Sequence, residues 1–93
     1  MPDRDEITDA AKQIVDALSL EGPEERKALR YLFARVALDQ GLLTLIAEEA
    51  RPSGTLLICQ EPTTGLPYRA ERPSSWTNAA EGQYLGEVLT HLR

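Results

Sequence analysis

Residues 23 to 40, PEERKALRYLFARVALDQ, constrain the chain most, because they are apolar on two sides of a single helix. Leu29, Leu32, Phe33 and Val36 recur at helical spacing and form one stripe. Tyr31, Ala34 and Leu38 recur at the same spacing on the opposite side. One stripe suffices for a helix lying on a core, whereas two imply burial between layers. The ends are marked as well. Pro23 suits the first turn, Glu24 and Glu25 suit the positive end of the macrodipole, and Gly41 suits the C-terminal stop. Whatever else folds here must supply packing partners on both sides of this helix.

The segment before it can supply one of them. Residues 4 to 19 carry Ile7, Ala11, Ile14, Val15 and Leu18 on one face, with Asp5, Glu6, Asp9, Lys12 and Asp16 mostly outside it. Asp3 followed by Glu6 has the pattern of a capping box. The link to the central helix turns at Gly22-Pro23, and so short a link predicts an antiparallel helical hairpin.

Residues 42 to 73 change character. The runs LLTLIAEEA, TLLICQE and LPYRAER are separated by RPSG and PTTG, which predicts a three-stranded antiparallel meander. The first run is ambiguous, since Leu43, Ile46, Ala47 and Ala50 continue the helical rhythm of residues 29 to 36. Gly41 decides for a strand, because a glycine inside a helix costs about 1 kcal/mol. A tight turn at PTTG, with Glu61 facing Leu66, sets Cys59 opposite Tyr68 and Leu57 opposite Ala70 on an apolar face toward the helices. Ile58 then lies opposite Arg69 and Leu56 opposite Glu71 on a mixed outer face. After the connector PSSWT, Asn78 with Glu81 suggests the cap of a third helix, whose apolar face is Tyr84, Leu85, Val88, Leu89 and Leu92. The expected fold is α+β in the order α-α-β-β-β-α, with residues 1–93 in one compact domain.

Charge and cysteine content narrow the function classes. The net charge is −5, but residues 1 to 25 hold eight acids and two bases while residues 26 to 93 hold seven acids and eight bases. The acidity therefore belongs to the N-terminal segment, and the composition describes no polyanion-binding chain. One cysteine excludes an intrachain disulfide framework and fits a reducing compartment. The N-terminal residues are acidic without an apolar core, and no apolar run approaches the roughly 20 residues of a membrane span. The expectation is a cytoplasmic protein.

Motifs that carry chemistry are not found. A single His91 and a single Cys59 give no zinc spacing, and the glycines form no phosphate-binding loop, so neither metal nor cofactor is expected. Cys59 sits in the apolar middle of a strand, where cysteine acts as a small hydrophobe, and His91 lies near the chain end. The adjacent carboxylates Glu24-Glu25 and Glu48-Glu49 point in different directions rather than converging on one atom. No catalytic residue is assigned.

Two binding readings remain. Tyr31 and Leu38 on one surface, and Leu56 and Ile58 on another, are more apolar area than one further helix can cover. This predicts a small interaction or regulatory protein working as a homodimer or assembly subunit, with Trp76 either packed inward or anchoring a partner. The alternative is a winged-helix-like nucleic-acid binder that places Arg26, Lys27, Arg30 and Arg35 on phosphates, with the 55 to 71 hairpin as the wing. The charge balance favours the first, with these bases forming a solvated helix edge that pairs with acids of the first helix.

Overall fold

The computed structural model describes residues 2–93. The elements are α1 (Arg4–Ala17), α2 (Pro23–Asp39), β1 (Thr44–Arg51), β2 (Gly54–Gln60), β3 (Pro67–Glu71) and α3 (Asn78–His91), the expected α+β succession. The strands make one antiparallel sheet in the order β1-β2-β3.

α1 opens on the capping box. Asp3 accepts from the Glu6 amide at 2.9 Å, and Glu6 accepts from the Asp3 amide at 3.5 Å. The helix stops at Ala17, short of residue 19, because Ser19 turns into the left-handed region at φ 53°. α2 stops at Gly41 for a related reason. Gly41 adopts φ 78°, which lets the Leu42 amide donate to the Ala37 carbonyl at 2.8 Å and the Gly41 amide to the Leu38 carbonyl at 3.3 Å. These two bonds satisfy carbonyls that the helix leaves open, in a geometry glycine reaches without strain. Leu43 and Ile46 therefore leave the helical rhythm, and β1 is a strand.

Most of both stripes of α2 is covered, with Leu29 and Leu38 half-buried at their margins. Leu32, Phe33 and Val36 are buried, and so are Tyr31 and Ala34 on the other side. α1, α3, β2 and β3 all pack against α2, as a helix with two apolar sides requires. Cys59 pairs with Tyr68, Leu57 with Ala70, Ile58 with Arg69 and Leu56 with Glu71. This is the register that a turn closing Glu61 on Leu66 dictates, and the Glu61 amide does donate to the Leu66 carbonyl at 2.9 Å. Leu57, Cys59 and Ala70 face the helical layer and are buried there.

α3 begins one residue earlier than the Asn78 cap suggests. Thr77 is the cap, its hydroxyl accepting from the Ala80 amide at 3.0 Å. Asn78 instead accepts from Arg72 Nη1 at 2.9 Å, which draws its side chain away from the helix end. Trp76 packs inward, with its ring 4.8 Å from that of Tyr84 and 6.4 Å from that of Tyr31.

Candidate functional site

The two edges of the sheet are treated differently. α2 lies along β3, and Arg30 donates from Nε and Nη2 to the Arg69 carbonyl at 3.2 and 2.6 Å. That carbonyl belongs to the free edge of β3, so a helix side chain closes the edge. Among the described residues no helix packs extensively along β1, whose main packing is on β2. Leu45 is 44% exposed and Ile46 57%. Ile46 is the extra residue of a bulge, since Leu45 pairs with Cys59 and Ala47 already with Ile58. A bulge bends a strand and interrupts its edge. The other end of β1 is charged, with Glu49 held by Arg51 at 2.8 Å. The apolar part of this surface is thus confined to the end where β1 begins.

Of the apolar residues singled out by the sequence, α3 and its connector hide Tyr31 and Trp76, and Leu56 is also buried within the chain. Leu38 and Ile58 stay half-buried. Leu45 and Ile46, which the strand-or-helix ambiguity obscured, are the large exposed apolar side chains of β1.

The basic group takes a different place from the one expected of a solvated helix edge. None of Arg26, Lys27 and Arg30 pairs with an acid of α1 among the described residues. Lys27 binds Glu71 at 3.1 Å and Glu24 at 3.6 Å, while Arg30 covers the Tyr68 ring at 4.4 Å. Together with Arg51 and Arg69 from the sheet, these three bases line an open groove of about 430 Å³. Pro23 and Leu56 supply its apolar part and Glu71 its carboxylate. Glu71 is further bound by the Ser53 hydroxyl at 2.8 Å. The Ser53 and Lys27 hydrogen bonds hold its carboxyl below the usual carboxylate range, and the Glu71 bond raises Lys27. Arg35 does not join this group. It lies 3.8 Å from Glu81 of α3, on another side of α2.

Glu81 organises a second polar cluster. It accepts from the Tyr31 hydroxyl at 3.0 Å and from Arg72 Nη1 at 3.1 Å. Burial, followed by the Glu81 hydrogen bond, pushes the Tyr31 hydroxyl well above the usual phenol range. Tyr31 is therefore an anchor between α2 and α3, a role its place in an apolar stripe did not reveal. Cys59 is buried on the inner face of the sheet, and burial raises its thiol. His91 is exposed at the end of α3, so the two do not form a nucleophile and base.

Among the described residues no helix is long and apolar enough to cross a membrane. Compared with models of protein families, with characterised proteins and with solved structures, the chain matches none.

Proposed function

We propose that this is a small cytoplasmic interaction protein without catalytic activity, acting as a homodimer or as a subunit of a larger assembly. The observation that supports this reading is the uncovered start of β1. The rest of the fold covers most of its apolar stripes and closes the β3 edge, whereas Leu45 and Ile46, adjacent in one strand, meet solvent at 44% and 57% exposure. The other large exposed apolar side chain among the described residues, Leu66, lies alone at the β2–β3 turn. Covering them on a second copy recovers the free energy of apolar burial, about 25 cal/mol per Å². A two-fold contact centred on Leu45 and Ile46 lets the same patch meet itself. It also leaves Glu48 and Glu49 beyond the contact, where pairing β1 along its whole length would bring carboxylates of both copies together. Ile58, paired with Ala47, continues this surface across the sheet.

Sedimentation equilibrium at micromolar concentration tests the reading. The expected result is a dimer for the native chain and a monomer for Leu45→Glu with Ile46→Glu, with unchanged circular dichroism because both side chains are already exposed. A native chain that sediments as a monomer, alone and with its copurifying proteins, refutes it.

A further inference from the structure

We propose that the groove between α2 and the outer face of the β2–β3 hairpin binds a compact, multiply charged phosphate ligand of nucleotide size. The groove holds Arg26, Lys27, Arg30, Arg51 and Arg69, half of the ten Lys and Arg residues in the chain, against only one of its fifteen acids. So uneven a division, in a chain of net charge −5, is local charge segregation rather than a general basic surface.

The groove keeps its positive charge after internal pairing is accounted for. Glu71 is already satisfied by Lys27 and Ser53, Glu24 also reaches Lys27 at 3.6 Å, and Glu49 pairs with Arg51, which leaves Arg26, Arg30 and Arg69 without a carboxylate partner among the described residues. Arg30 spends two of its donors on the Arg69 carbonyl, which fixes the guanidinium at the wall. The guanidinium groups of Arg26 and Arg69 have no ion-pair partner among the described residues. One comes from α2 and the other from β3, so two different elements present them to the groove. Guanidinium forks match phosphate oxygens in pairs, and four of the five bases are arginines. Pro23 and Leu56 add an apolar surface suited to the uncharged part of such a ligand.

Size and global charge choose between ligands of this chemistry. A volume of about 430 Å³ falls in the range of small-molecule sites. A long polyanion would run from the groove onto a molecule whose α1 exposes Asp5, Glu6, Asp9 and Asp16. A compact ligand is held inside the groove, where screening over about 8 Å at physiological salt leaves the local charge in control.

Isothermal titration calorimetry of the full chain with pyrophosphate, with ATP and with an oligothymidine tests this. Pyrophosphate and ATP are expected to bind saturably, one per chain, and more weakly at higher salt. Arg26→Gln with Arg69→Gln should weaken both by at least about tenfold, since each substitution removes charge-assisted hydrogen bonds to phosphate oxygens. Both side chains are exposed and unpartnered, so the variant should keep the native circular dichroism. Lys12→Glu, on α1 outside the groove, changes the net charge by the same amount and should leave both affinities nearly unchanged. The proposal is overturned by the absence of saturable binding to either probe, or by an equal loss in Lys12→Glu. Binding of the oligothymidine alone also overturns it and assigns the groove to a nucleic-acid strand. None of these outcomes depends on dimerisation through β1.

Discussion

Gly54 shows how far a single position can control this fold. Its φ is 129°, a conformation that side-chain-bearing residues rarely adopt. A Cβ built there would also fall on the carbonyl oxygen of Arg72, where the chain leaves β3 and passes close to the start of β2. Backbone strain and a backbone clash therefore act at the same atom. Neither is relieved by moving a flexible side chain, because the obstacle is a carbonyl held in place by the Arg72 amide, which donates to Thr55 at 2.7 Å. Gly54→Ala is expected to cost roughly 1 to 3 kcal/mol, the range for a residue forced into such a region. Urea titration would read the loss as a lower midpoint. By contrast Gly82→Ala should leave the midpoint unchanged or raise it, since nothing lies within 4 Å of a Cβ at that exposed helical position. Equal midpoints for the native chain and Gly54→Ala would show that the Arg72 segment yields.

At the scale of elements, α2 is the piece on which the others depend. Leu32 is fully buried in its main stripe, whereas Lys27 lies at the groove. An unpaired carboxylate at Leu32 costs several kcal/mol, against a total stability of about 5 to 15 kcal/mol for a small domain. Leu32→Asp should therefore lose the native circular dichroism, while Lys27→Asp keeps it; a folded Leu32→Asp protein would mean α2 can rotate its core face away. The same helix shows what periodicity could and could not reveal. Its two stripes, its Gly41 stop and the β2–β3 register were legible because each rests on residues within a few positions of one another. The cap of α3 was not, because Asn78 is claimed by Arg72, whose approach is tertiary. The groove was only half legible. Arg26, Lys27 and Arg30 are neighbours in sequence, but Arg51 and Arg69 reach them through strand pairing. Spacing places Tyr31 in an apolar stripe and cannot show that its hydroxyl meets Glu81 fifty residues later.

For the molecule as a whole, ion pairs tie the first two helices to the β2–β3 hairpin. Arg4 of α1 holds Glu61 at the β2–β3 turn, and Lys27 of α2 holds Glu71 of β3. In both, hydrogen bonds from the partner and from a neighbouring hydroxyl lower the carboxyl: Arg4 then Thr64 for Glu61, Ser53 then Lys27 for Glu71. A carboxyl whose pKa is lower in the folded chain than in the unfolded one stabilises the fold above its unfolded pKa. That contribution disappears as the pH falls through the folded pKa, because the unfolded state then binds the proton more readily. The fold should therefore lose stability on acidification through and below the usual carboxylate range. These two pairs should weaken together, and with them the attachment of helices to sheet. Both pairs are partly solvated, so each contributes little at neutral pH. The Glu61→Gln, Glu71→Gln double variant should melt a few degrees lower than the native chain near neutrality. On acidification its melting temperature should fall less steeply, so that the two curves converge at low pH. Thermal melts by circular dichroism across the acid range would decide it, and parallel curves would place the acid sensitivity in other carboxylates.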